Sequence, residues 1–239
     1  VAGFVDKGFE PEILTKFAME MALLQATDIE HGPIECVFTR DEETGLTGAF
    51  EMKPGFMSGD YLINLDSEDE GQLFVSCAGG VRTEATYTVD EVQLPEGFST
   101  FNFVVKGLTG GHSGDDINKN RANANKLLVR FLLAQGEKTD LRLCDIQAGG
   151  LHNAIPREAH ATVAVPTAYA ATFATELEAF VAKVREEFSV TEPDMTAALE
   201  PMAAAPTCIC PEQTTRMLKS LNVVHNGIFA MSQDLEGLV

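Results

Sequence analysis

Thr100-Phe101-Asn102-Phe103-Val104-Val105-Lys106 decides the reading of the fold. Phe101, Phe103 and Val105 alternate with Thr100, Asn102, Val104 and Lys106, the period-two pattern of a strand with one more apolar face. Downstream, Ala124, Leu127, Leu128, Phe131 and Leu132 form one stripe of a helix. Residues 141–146 and 159–165 then read as two strands joined through the Gly149-Gly150 region. Phe173, Leu177, Phe180, Val181, Val184 and Phe188 recur at helical spacing and predict a second helix. The order β-α-β-β-α is most of a split βαβ (ferredoxin-like) unit of the α+β class, to be completed by a later strand. The Pro- and Ala-rich residues 192–211 carry little periodicity and are expected as a surface excursion. A helix near 213–221 and a strand near 228–231 are expected to close the chain.

Upstream the texture differs. Leu14, Phe17, Ala18, Met21 and Leu24 predict an amphipathic helix over about residues 12–26. Ile34-Glu35-Cys36-Val37-Phe38, Tyr61-Leu62-Ile63-Asn64-Leu65 and Leu73-Phe74-Val75-Ser76-Cys77 are short, mostly apolar runs that read as buried strands. Near-continuous apolar strands belong to a sheet covered on both faces, which means α/β. The change of texture after Ala78-Gly79-Gly80 places a boundary near residues 78–98. Residues 1–80 read as a piece of an α/β domain and residues 81–239 as a smaller α+β domain.

Composition narrows the partners. The 239 residues carry 17 Lys plus Arg against 36 Asp plus Glu, a net charge of −19. Phosphate binding needs clustered basic residues, so nucleic acid is excluded as a partner, and an anionic membrane surface is disfavoured for the same reason. Cations, by contrast, are drawn to such a chain. No apolar run approaches the ~18 residues of a membrane span, and no signal peptide opens the sequence. The five cysteines are scattered and odd in number, which argues against a secreted disulfide framework and for a reducing cytoplasm. Cys36, Cys77 and Cys144 lie in apolar runs and are expected as buried thiols. Cys208-Ile209-Cys210 could bind a soft metal, but without a second pair it is a weak motif. Val1 and Val239 fall within apolar patterning, so the chain is expected to be an internal piece of a longer protein.

Two acidic features fall where an α/β sheet binds ligands, beyond the carboxyl ends of strands. Asp41-Glu42-Glu43 follows the expected strand ending at Phe38, and Asp66 follows the one ending at Leu65. If those strands are parallel neighbours, Glu42, Glu43 and Asp66 converge. Gathered carboxylates repel unless a cation compensates them, and a divalent metal does so. On a turn, adjacent acids can divide labour: one binds the ion while the other acts as general base toward a metal-bound water. Spacing alone favours solvated loop charges in so acidic a chain.

Gly110-Gly111-His112-Ser113-Gly114 lies between a strand and a helix. It matches neither the Walker nor the dinucleotide glycine pattern. What remains is a histidine on a glycine-flanked turn, able to donate to a developing oxyanion or to do nothing. In Gly149-Gly150-Leu151-His152-Asn153-Ala154-Ile155-Pro156-Arg157-Glu158, Asn153 can recognise amide or carboxylate groups and Arg157 can hold a carboxylate. The same residues are also ordinary turn chemistry. His31, His160 and His225 read as structural.

Taken in order, residues 31–50, 62–71 and 77–80, then Gly107 to Gly114, Ala122 to Leu132 and Asn153 to Ala159, resemble the aminoacyl-histidine dipeptidases. These carnosine-cleaving Xaa-His dipeptidases belong to the wider group of two-metal aminoacylase and carboxypeptidase-like metallopeptidases. The resemblance covers most of residues 18–165 and, more loosely, 215–239. It implies a mixed-sheet catalytic domain interrupted by a lid. It also implies that Glu42 is the general base for a bridging water and that Glu43 and Asp66 each hold one of two metals. His112 would stabilise the tetrahedral oxyanion, and Asn153 would bind substrate backbone. The implied cofactor is a divalent metal, zinc with manganese or cobalt as alternatives, and the implied assembly is a homodimer acting on small dipeptides.

The chain also departs from the pattern. Residues 1–17 hold neither the His-x-Asp motif nor the Asp-Asn-Gly bridging stretch, and no counterpart of the closing histidine and arginine is found before Val239. The chain by itself is therefore expected to be weak or inactive, with the complete parent as the enzyme. A non-catalytic lid and association module, or a related aminoacylase, are the competing readings.

Overall fold

A computed structural model of the chain describes residues 11–42, 45–65, 71–75 and 79–234. The chain divides into two compact units, Val1–Arg82 and Thr83–Val239.

The first unit holds helix α1 (Pro11–Gln25) and the single helical turn α2 (Thr47–Phe50). Helix α1 falls where the apolar spacing predicts it, and Phe17 meets Phe38 with ring centroids 5.5 Å apart. The three expected strands are not strands among the described residues: 34–38, 61–65 and 71–75 run as irregular chain. Apolar patterning nominates a strand, but a ladder partner makes one. Here Tyr61, Leu62, Ile63, Leu73 and Val75 stand 74 to 92% exposed. Cys77 lies outside the described residues. Glu35 is tied to the following segment, its Oε2 accepting from the Ser58 N–H at 2.8 Å and the Ser58 hydroxyl at 3.0 Å.

The second unit opens with β1 (Glu91–Gln93), β2 (Phe98–Lys106), β3 (Gly111–His112), α3 (Ala124–Gly136) and β4 (Arg142–Ala148). It continues with β5 (Ala154–Ile155), β6 (Ala159–Pro166), α4 (Ala170–Glu187), β7 (Thr196–Pro201), β8 (Thr207–Ile209) and α5 (Pro211–Val223). Four strands form one antiparallel sheet in the order β4-β6-β2-β7. In chain order β2, β4, β6 and β7 are the first to fourth strands of a split βαβ unit, and β7 is the strand that completes it. Residues 192–211, expected as an excursion, therefore contain a sheet strand and also β8, which pairs with β1. The signal is hidden because β7 points only Ala197 and Leu199 toward the core, and both are small or half-buried. Residues 228–231 form no strand.

Helices α3 and α4 cover the sheet with an aromatic cluster. Phe131 of α3 lies 5.0 Å from Phe103 of β2 and 5.4 and 5.2 Å from Phe173 and Phe180 of α4, centroid to centroid. Such pairs contribute beyond the apolar area they remove from water. Asn123 caps α3, its side-chain oxygen accepting from the Asn125 and Lys126 N–H groups at 3.0 and 3.3 Å. Lys126 in turn donates to the carbonyls of Leu221 at 2.7 Å and Asn222 at 3.1 Å, and to that of Val224. An ammonium at a helix C-terminus satisfies orphan carbonyls and complements the dipole of α5.

The register of β4 against β6 skips Cys144, between Leu143 opposite Val163 and Asp145 opposite Thr162. This bulge leaves Cys144 half-buried, and burial, with Cys208 and Asp145 adding to it, pushes its thiol up to about 11. Cys36 is half-buried as well; among the described cysteines the fully buried one is Cys208. No described helix is long and apolar enough to cross a membrane.

Candidate active site

Glu42 sits on a tight turn rather than on a strand. The Leu46 N–H donates to the carbonyls of Asp41 at 2.8 Å and Glu42 at 3.3 Å, and the Thr47 hydroxyl donates to Asp41 Oδ2 at 2.7 Å. Asp41 and Leu46 both adopt left-handed backbone, with φ of 58° and 57°. Such conformations cost non-glycine residues energy and persist only where the surroundings hold them. The holding contact is Gly48, whose N–H donates to the Arg40 carbonyl at 3.2 Å. A Cβ on Gly48 would lie 2.6 Å from the Arg40 backbone nitrogen, so the close approach requires glycine. The turn thus presents the exposed Glu42.

Glu43 and Asp66, the two expected metal ligands, lie outside the described residues. Among the described residues, no group of three or more His, Cys, Asp or Glu side chains gathers as a metal site.

In the second unit the two other expected residues are brought together. Strands β3 and β5 pair antiparallel, with His112 opposite Ala154, the neighbour of Asn153. The Ser113 N–H donates to the Asn153 carbonyl at 2.8 Å, which extends the ladder and fixes Asn153 beside the histidine. The His112 ring is exposed, and its Nδ1 accepts from the Gly114 and Asp115 N–H groups at 3.2 and 3.3 Å. With Nδ1 accepting, a neutral ring carries its proton on Nε2, the form that donates outward. In the imidazolium, Nδ1–H would face Asp115 Oδ2, 3.5 Å away, instead. The two arrangements are alternatives.

The backbone beneath the ring is held by a network that composition and spacing do not single out. The His112 N–H donates to Asp116 Oδ2 at 2.8 Å. Arg121 pairs with the same oxygen at 3.0 Å and donates to the Gly110 carbonyl at 2.6 Å. The Lys119 ammonium, the His112 N–H and Arg121 together hold the Asp116 carboxyl below the usual carboxylate range. The sequence signal available is an acid pair directly after His-Ser-Gly with an arginine shortly beyond. Arg157 is a brace in this structure: its Nε donates to the Leu108 carbonyl at 3.1 Å. His31 contacts the Gly32 carbonyl and His225 those of Gly227 and Ile228, local contacts that fit structural roles.

Residues 97–192, from the turn before β2 to just past α4, match the family model of the peptidase dimerisation domain. The likeness to known proteins extends well beyond that segment. Over 222 residues, 93% of its length, the chain is 37% identical to the cytosol non-specific dipeptidase of Escherichia coli (strain K12). Its fold matches aminoacylhistidine dipeptidase from Vibrio alginolyticus with a TM-score of 0.75, again at 37% identity over 93% of the chain. The resemblance read from the motifs, and the α/β fold class with its α+β lid, are thereby borne out. The chain spans about half the length of these relatives, 46% of each.

Proposed function

We propose that this chain belongs to a metal-dependent dipeptidase that hydrolyses dipeptides of the Xaa-His, carnosine-like kind. The observation that carries the reading is the 37% identity to a dipeptidase, which runs through both units rather than the dimerisation segment alone. In this reading Glu42 is the general base and takes the proton of the attacking water. Its exposed place on the turn suits that task. His112, whose neutral ring with Nδ1 accepting carries its proton on Nε2, donates to the oxygen that becomes negative as the peptide carbonyl turns tetrahedral. Asn153, fixed beside it by the β3–β5 ladder, binds the substrate backbone. Glu43 and Asp66 would hold divalent metal, zinc in the first instance, which when bound polarises the carbonyl and acidifies water.

The first unit is then the catalytic part, and residues 81–239 are the lid and association part. The protein works as a homodimer in the cytoplasm. The dimerisation-domain match supports association, and β7 lies at an edge of the sheet, where a second copy could add.

The test is Glu42→Gln in the complete protein, assayed for histidine release from an Xaa-His dipeptide. Loss of a general base should lower kcat by about 10²- to 10⁴-fold, with bound metal unchanged. A variant that releases histidine at the wild-type rate removes Glu42 from the mechanism.

A further inference from the structure

Glu192 is a carboxylate with only 2% of its surface exposed, and the proposed reaction makes no use of it. Its Oε2 accepts from the Thr109 N–H at 2.6 Å and its Oε1 from the Ala122 N–H at 2.8 Å. Those donors stand near the two ends of the segment between β2 and α3, the segment that carries His112. The neighbouring Thr191 carbonyl adds a bond from the Thr109 hydroxyl at 2.7 Å. Glu192 is itself anchored, its N–H donating to the Phe188 carbonyl at 2.9 Å at the end of α4. Charge-assisted bonds to backbone N–H groups are among the stronger hydrogen bonds, and in a buried site no water replaces them.

The two clamped residues flank the contacts that hold the histidine. Thr109 adjoins Gly110, whose carbonyl takes the Arg121 guanidinium at 2.6 Å. Ala122 adjoins Arg121 itself, which also pairs with Asp116, the acceptor of the His112 N–H. Fixing Thr109 and Ala122 on one carboxylate therefore sets the span that Arg121 must bridge. Gly110 and Gly111 both have positive φ, 66° and 140°, so the backbone leading to His112 gains little rigidity from its own residues.

We propose that Glu192 is the positioning residue for His112: it clamps both ends of the 109–122 segment and, through Arg121 and Asp116, holds the backbone that carries the ring against that of Asn153. The catalytic consequence rests on the reading of His112 as oxyanion donor; the placement of the ring does not.

Glu192→Gln keeps the shape but replaces one acceptor oxygen with an NH₂ group, which cannot accept from a backbone N–H. In the full chain with nitrogen-labelled histidine, wild type should show the single Nε2–H tautomer for His112. The variant should move toward a mixture of tautomers. The Ser113 amide should exchange about tenfold faster or more, while the Val163 amide in β6 changes less than about threefold. An unchanged ring and Ser113, or Ser113 and Val163 rising together, overturns the proposal. Should Glu192→Gln disturb folding, Arg121→Gln acts at the more exposed end of the relay and must give the same ring and Ser113 signature; a wild-type signature there also overturns it. In the complete enzyme, Glu192→Gln should lower kcat with KM little changed. A displaced ring with undiminished kcat leaves the clamp standing and instead removes His112 from the oxyanion role.

Discussion

The two units draw on the same kind of sequence and use it differently. In residues 83–234 the apolar alternation of β2 finds β6 on one side and β7 on the other, and Phe103 and Phe131 are at most 1% exposed. In residues 11–82 the apolar runs around Ile63 and Val75 stay irregular, and Phe50 is 81% exposed. Apolar content alone does not separate them. What separates them is whether a run meets a ladder partner and a covering helix among the described residues. Burial of a side chain stabilises only where neighbours close around it.

The largest expected effect breaks this contrast directly. Phe131→Ala removes the ring at the centre of the aromatic cluster and should cost about 3–5 kcal/mol. Phe50→Ala in the first unit should cost less than about 0.5 kcal/mol, as exposed sites do. Urea unfolding followed by far-ultraviolet circular dichroism measures both. Equal losses would mean that Phe50 is packed, and the contrast between units would fail.

A smaller effect compares the two turns that carry the proposed site residues. A Cβ on Gly111 would run into Arg121 and the Asp116 carboxylate, at a φ of 140° that side chains rarely adopt. A Cβ on Gly48 would meet the Arg40 backbone at 2.6 and 2.8 Å. Each alanine substitution should cost about 1–3 kcal/mol, but by different routes. In Gly111→Ala the new methyl group displaces the Arg121 and Asp116 side chains, so the loss combines backbone strain with the bonds those groups make to Gly110 and His112. In Gly48→Ala the obstructing atoms are backbone and cannot swing aside, so the Asp41–Leu46 turn itself should open. Amide shifts of Leu46 that move in Gly48→Ala, and stay in place in Gly111→Ala, check the distinction.

The legible part of the molecule follows from the same contrast. The helices α1, α3, α4 and α5 are visible in the sequence because each carries an apolar stripe, and β2 and β6 because period-two alternation survives in a half-covered sheet. β7 is not visible, since Thr196-Ala197-Ala198-Leu199-Glu200-Pro201 is an edge strand whose inward side chains are small. Nor is β3, where two residues pair only because β5 is brought beside them. His112 and Asn153 stand out as motif residues. Asp116, Arg121 and Glu192 do not, because their work is hydrogen bonding to backbone that is distant in sequence or hidden in a turn. Glu192 in particular sits before Pro193 in a stretch with no periodicity at all.

The smallest effect concerns acid, and it sharpens the comparison by giving each unit its own probe. Hydrogen bonds from the Ser58 N–H, then the Ser58 hydroxyl, hold Glu35 below its ordinary value. The Lys119 ammonium, then the His112 N–H, hold Asp116 below its own. A carboxylate with a depressed folded pKa contributes stability that is fully present above its unfolded pKa and is lost as pH falls through the folded one. Neither link should therefore weaken until the pH drops below the ordinary carboxylate range of about 4. Lysine stays protonated throughout, so the loss of charge is the carboxylate's alone. The side-chain carboxyl carbon signals of Glu35 and Asp116 should accordingly move only in that acid window, each with its own midpoint, because the two carboxylates sit in separate networks. If the Asp116 carboxyl signal moves at or above the ordinary aspartate value, the bonds from the Lys119 ammonium and the His112 N–H do not hold that carboxylate. In that case the network from Arg121 to His112 loses its central member.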